Sequence, residues 1–238
     1  MKKIIHKSEN RGGANHGWLN AKHSFSFAQY FDANKIQFGA LRVLNDDIIA
    51  PSMGFGTHPH DNMEIITIPL SGVLKHRDSM ANEWKEVKAG EVQLMSAGSG
   101  LEHSEINGST SEELKLFQIW IMPNEKNVTP RYDQAFFKAE DRQGQLQTLV
   151  TGFSNKEKGL KIHQDAKLSR IDLSEKETFT YKLQDDRNGV YTMVITGSAI
   201  IEDSNLAERD AIGISETEAF NVKSDSKTEL LFIEVPMF

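Results

Sequence analysis

Short apolar segments rich in β-branched residues follow one another along this chain. Each is closed by glycine, proline or an Asn/Asp/Ser cluster, and that rhythm constrains the fold more than any other feature. Glu64-Ile65-Ile66-Thr67-Ile68-Pro69-Leu70 runs into Ser71-Gly72 and then Val73 to Asp78, which reads as a hairpin. Val92 to Met95 and Leu114 to Ile121 read as further strands, the second ending at Pro123. Strand-length runs separated by regular turns predict an all-β sandwich or barrel. Only the charged stretches at 138–142 and 203–209 look helical, and both are short.

A degenerate repeat divides the chain. Ile68 to Leu74 is echoed by Ile195 to Ile201, and Ser111 to Phe117 with Pro123 is echoed by Lys227 to Phe232 with Pro236. The stretch from Pro123 to Gln145 is charged and carries two prolines, as an inter-domain connection would. The expected division is 1–134 and 135–238, with one large barrel as the alternative. The 238 residues contain no cysteine, which excludes disulfides, thiolate nucleophiles and Cys-based metal sites. A formal charge of −7 argues against broad electrostatic binding to nucleic acid. The basic N-terminus has only Ile4-Ile5 before charge returns, and no apolar run approaches a membrane span, so the expected location is the cytoplasm.

All but one of the eight histidines precede Ser104, and two glycine-flanked clusters stand out among them. The first is Thr57-His58-Pro59-His60 with Glu64 close behind; the second is Leu101-Glu102-His103-Ser104-Glu105. Residues two apart on a strand share a face, so His58 with His60, and His103 with Glu105, can each point into a barrel. On neighbouring strands they would bring three imidazoles and one carboxylate to one point and leave coordination positions open. A lone histidine is more often a core or surface residue, but two such pairs favour a metal site. Without thiolates, the donors suit Fe, Mn, Ni, Cu or Zn. Strand parity also admits Glu64 as the carboxylate if the strand from His58 runs unbroken; a bend near Pro59 or Asp61-Asn62 would remove it. Phe25, Phe27, Phe38, Phe55 and Met95 are candidate pocket walls for a flat ring, each with barrel core as the plainer reading. His76, His16 and His23 read as structural, and His6 and His163 as surface residues.

These residues resemble the pirin family of the cupin superfamily in its bacterial form. The resemblance runs through Gly17-Trp18-Leu19, His23-Ser24-Phe25-Ser26-Phe27 and Phe38 to Asp47. It continues through His58-Pro59-His60, Met63-Glu64-Ile65, His76-Arg77-Asp78-Ser79 and Gln93 to Gly98, and closes with His103-Ser104-Glu105 and Phe117 to Ile121. It implies a bicupin, two jelly-roll β-barrels packed face to face with a few short helices. One divalent metal, Fe(II) by analogy, would sit in the N-terminal barrel on His58, His60, His103 and Glu105. The family pattern takes its carboxylate from the second motif, which favours Glu105 over Glu64. The second repeat has no histidine around 185–188 or 220–222, so its barrel is expected to be structural.

The resemblance further implies a quercetin 2,3-dioxygenase-type oxidoreductase acting on flavonol-like, enolizable aromatic substrates with dioxygen. Glu105 would be the catalytic base. The other role associated with the family is that of a metal-sensing co-regulator that binds a protein partner without turnover. A non-redox cupin isomerase or sugar-binding module is a third class. The expected assembly is a monomer without a nucleic-acid or membrane partner.

Overall fold

The computed structural model describes residues 1–238. Nearly all of its regular structure is β, arranged as two seven-stranded and two four-stranded antiparallel sheets; the single parallel pairing joins Gln147–Gly152 to Leu160–Ile162. In the first seven-stranded sheet the spatial order is Arg131–Phe136, Glu91–Ser96, Glu64–Ser71, Leu114–Ile121, Leu41–Ile49, Leu19–His23, Gly12–Asn15. Its four-stranded partner is ordered Gly54–His60, Leu101–Asn107, Val73–Asp78, Lys85–Lys88. The second pair repeats this plan. Thr228–Pro236 occupies the central place that Leu114–Ile121 holds in the first, and Thr178–Lys182 beside Ala219–Ser224 mirrors Gly54–His60 beside Leu101–Asn107.

The edge strands are exchanged. Lys2–His6 leaves its own half and pairs with Ala211–Ser215, whereas Arg131–Phe136 pairs with Glu91–Ser96. A cut at Gln134 therefore falls inside a strand of the first barrel, and the chain's first strand lies in the second.

Leu114–Ile121 shows why the strands read as apolar runs. Phe117, Ile119 and Ile121 join a 25-residue core shared with Leu149, Tyr191, Met193, Leu231 and Ile233 of the other half. Leu114 and Leu116 turn the opposite way into the first barrel. A sheet covered on both faces needs apolar side chains on both, so the alternation is lost. The two seven-stranded sheets thus meet back to back, and each barrel keeps its own interior.

The predicted hairpin at Ser71-Gly72 is a corner instead. Glu64–Ser71 pairs within the seven-stranded sheet, while Val73–Asp78 pairs with Leu101–Asn107 and Lys85–Lys88. Gly72 turns between sheets at φ +83°, and its repeat counterpart Gly197 turns at φ +81°. Residues 203–209 form no helix: Ser204–Leu206 is a strand paired with Ala199–Ile201 across a turn at Glu202. The 138–142 stretch yields a single 3-10 turn at Ala139–Arg142. No helix is long and apolar enough to cross a membrane.

The second barrel is filled by apolar side chains. Tyr181 stacks on Phe220 at 5.3 Å and contacts Phe232 at 4.8 Å, with Val222, Ile201 and Leu206 around them. Tyr181 donates to the buried Glu234, which also accepts from Asn188 and from the amide of Gln184. Replacing Phe220 with Ala should lower the urea unfolding free energy by about 3–5 kcal/mol. Metal bound per folded chain should stay at the wild-type level, because this core is remote from every histidine pair.

Candidate metal centre

A mismatch of register builds the centre. Leu101, Glu102 and His103 pair with His60, Pro59 and His58, but Glu105 then pairs with Phe55, so the Gly54–His60 strand carries an extra residue at 56–57. This bulge lets Phe55 share the inward face with His58 and His60 despite its odd spacing. It also draws the strands together at Gly54, where a Cβ would lie 2.1 Å from the Glu105 carbonyl oxygen. Only glycine fits that approach.

The ring centroids of His58 and His103 lie 4.3 Å apart, and His60 is 4.9 Å from each. One nitrogen from each of the three imidazoles falls within 4.8 Å of the others. Glu105 joins His103 within the same span, with His76 as the third member of that set. His103 and Glu105 are buried, while His58 and His60 are half-buried on the strand that forms the sheet edge. His58 Nδ1 donates to the Gly56 carbonyl at 2.8 Å, which leaves its Nε2 lone pair free.

Glu64 lies elsewhere. Asn62 takes a left-handed conformation at φ +44° and breaks the strand after His60. The parity is thereby reset, and Glu64 turns into the seam between the barrels, where Ser96 Oγ donates to it at 2.7 Å. His163 and Arg131 face it there.

Opposite the cluster, the seven-stranded sheet presents a polar row at one level: His23, Asn45, Gln118, Thr67 and Gln93 are successive cross-strand partners. Thr67 Oγ1 donates to Gln118 Oε1 at 3.0 Å, and Gln118 Nε2 donates to Glu105 Oε2 at 3.2 Å. His76 pairs with Asp78 at 3.0 Å and stacks on Tyr132. His76 and His23, expected to be structural, both stand close to the cluster. The first stands beside His103 at 5.4 Å, and the second lines the cavity in front of the cluster. The outlying histidines depart from a surface role: His6 is buried against Tyr191 at 2.8 Å, and His163 packs on Phe153.

That cavity, about 450 Å³, is walled by Trp18, Phe55, Phe27 and Trp120 in addition to the cluster. Phe25, Phe38 and Met95 take no part: Phe25 and Phe38 pack on Tyr191 between the barrels, and Met95 packs against Ile65 and Leu101. A second cavity, in the other half of the chain, is lined mainly by polar groups such as Asp165 and Arg187 and holds no histidine.

Burial dominates the electrostatics. It holds His60 down to about 4 and, reinforced by the neighbouring imidazoles, His103 down to about 2, so both stay neutral. It pushes Glu105 up to about 7 against the opposing pull of the nearby Gln93 and Gln118 amides. Both ring nitrogens of His103 and Oε1 of Glu105 are buried without any partner. Orphaned lone pairs on neutral imidazoles beside a carboxyl fit a divalent transition metal, which would satisfy them together.

The N-terminal part of the chain, residues 5–121, matches the family model described as Pirin, and residues 149–235 match the one described as Quercetinase C-terminal cupin domain. A quercetin 2,3-dioxygenase of Escherichia coli K12 is 44% identical over 232 residues, which cover 98% of each chain. The chain belongs to the pirin family. A pirin-like protein of Caulobacter vibrioides is 43% identical over 94% of this pirin and 95% of its own length. The crystal structure of the bacterial pirin YhhW of Escherichia coli in complex with nickel(II) matches with a TM-score of 0.93, at 41% identity and over the full length of both chains.

The titration of Glu105 sets a test on the metal-free protein. Its folded pKa lies above that of an unfolded glutamate, so its burial costs almost nothing at pH 4, the penalty grows between about 4.5 and 7, and it is complete above 7. Glu105→Gln should therefore match wild type at pH 4 and exceed it at pH 8 by on the order of 3 kcal/mol. Saturating metal should cancel the wild-type penalty. Chemical denaturation at the two pH values, with and without metal, measures both effects.

Proposed function

We propose that this pirin is a metal-dependent oxidoreductase of the quercetin 2,3-dioxygenase type, with its metal on His58, His60, His103 and Glu105. The observation that carries this reading is a set of buried donor atoms without partners, on His103 and Glu105, at the wall of an aromatic-lined cavity of ligand size. The relative named a quercetin 2,3-dioxygenase supports the reaction class. We assign Fe(II) as the working metal by analogy with the family, since the three-nitrogen, one-oxygen donor set suits Mn, Ni, Cu or Zn as well; the nickel(II) complex of the related YhhW makes nickel the comparison.

When bound, the metal would acidify a substrate hydroxyl and hold an electron-rich enolate where dioxygen can reach it. The protein's own groups supply the rest. Glu105 Oε2 is held by Gln118 and Oε1 has no protein partner, so the carboxyl would accept the proton of the substrate hydroxyl as it shifts from ligand to acid. Trp18 and Phe55, edge to face at 5.2 Å, and Phe27 and Trp120, likewise at 5.4 Å, give a planar ring apolar walls and limit water around the reacting atoms.

Aerobic quercetin consumption by iron-, manganese- and nickel-loaded protein tests the assignment. Wild type should turn over with at least one metal, and His58→Ala should lose metal and rate together. Glu105→Gln should retain most of the metal yet lose about 100-fold or more in rate. Equal rates in all three proteins would remove the catalytic assignment. A metal-replete wild type inert toward flavonols would point to the co-regulator role.

A further inference from the structure

Four residues on the cavity wall carry buried polar atoms with no hydrogen-bond partner: His103, Glu105, Trp120 and Asp47. The first two belong to the metal set. Trp120 stands at the His60 end, its ring 4.9 Å from that imidazole. Asp47 is different. It projects from Leu41–Ile49, in the sheet that faces the cluster, between cross-strand partners Leu116 and Ala21. Both partners belong to the apolar cluster on which Trp18 and Phe55 pack. A carboxyl 5% exposed at the greasy end of a cavity, with Oδ1 unpaired, destabilises the fold unless something else uses it. No basic side chain pairs with Asp47; burial, and after it the acidic Asp46 and Glu105, raise it to about 8 in the metal-free protein. Its unpaired Oδ1 lies at the cavity wall, free to hydrogen-bond whatever enters.

We propose that Asp47 is the specificity-determining residue of the cavity: it hydrogen-bonds a ring hydroxyl of the aromatic substrate, remote from the oxygen directed at the metal. The substrate class narrows to polyhydroxylated aromatics, because a ligand with hydrogen in that place would leave Asp47 desolvated and unpaired. Sites that bury a hydrogen-bonding group discriminate strongly against analogues lacking its partner. The inference rests on the flavonol-type reading above, and its test uses binding rather than turnover.

The experiment is anaerobic titration of metal-loaded protein, read by quenching of the cavity tryptophans. The ligands are quercetin and 3-hydroxyflavone; the latter keeps the 3-hydroxyl and neighbouring carbonyl but has no other hydroxyl. Wild type should bind quercetin more tightly. Asp47→Leu should weaken quercetin binding by about 10–100-fold and change 3-hydroxyflavone by less than about threefold. Asp47→Asn, which keeps size and a hydrogen-bonding side chain, should recover most of the loss. Metal content measured on each variant guards against misfolding. Equal weakening of both ligands by Asp47→Leu, no preference for quercetin in wild type, or no binding of either flavonol would overturn the proposal. Discrimination at Asp47 without aerobic turnover would leave it standing and overturn the dioxygenase reading alone.

Discussion

Everything about the first barrel follows from keeping imidazoles and carboxyls dry. His103 and Glu105 are buried at the cavity wall, and the surrounding sheet answers with neutral polar groups: Gln118, Gln93, Thr67 and Asn45 form one level across it. No lysine or arginine lines the cavity that the cluster faces. Amides can orient a carboxyl without cancelling its charge, which keeps that charge available for a cation. A guanidinium in the same place would stabilise the empty site and compete with metal. Leu114 and Leu116 on one side of Gln118, and Trp120 on the other, seal the polar level between apolar ends.

The second barrel is the control that nature supplies on the same topology. Its strands Thr178–Lys182 and Ala219–Ser224 repeat the pairing of the two strands that carry the histidine cluster, but they send Tyr181, Phe220 and Val222 inward. Stacked rings fill the volume that the first barrel keeps as a cavity. The buried Glu234 is answered by Tyr181, Asn188 and the amide of Gln184, and no cluster of His, Asp or Glu side chains gathers there to hold a metal. The exchanged edge strands and the shared 25-residue core tie this filled barrel to the hollow one. It thereby serves as a rigid support behind the sheet that carries Asp47 and Gln118.

Much of this was legible in the chain, and the parts that were not share one cause. His58 with His60 and His103 with Glu105 could be read because a strand's side-chain period is two and needs no partner to define it. The echo of Gly72 at Gly197 was readable for a similar local reason, since each turn needs a positive φ. Pairing is not local. Ser71-Gly72 looks the same whether the next strand folds back on its neighbour or crosses to the other sheet. Glu64 and Glu105 were separable only through the family pattern, because the left-handed turn at Asn62 that reverses the parity leaves no mark in hydrophobicity. The polar row of Asn45, Gln118, Thr67 and Gln93 comes from four different strands, and only the register assembles it. The spurious helix at 203–209 arose because charged residues on an exposed β-turn look like a solvated helical face.

The placement of the His58–His60 strand has a consequence for exchange of the proposed metal. Gly54–His60 is the outer strand of its sheet, with Gly56, Thr57 and Pro59 exposed, whereas His103 and Glu105 sit one strand further in. The donor set is therefore asymmetric, with two half-buried imidazoles on an edge that can breathe and a buried pair on a strand held from both sides. An edge strand detaches at far lower cost than an inner one. A metal would then enter and leave by way of His58 and His60 while His103 and Glu105 hold their places. Pro59 suits this position twice over. It offers no amide to recruit a stray strand, and it stiffens the two histidines that must return to the same geometry each time.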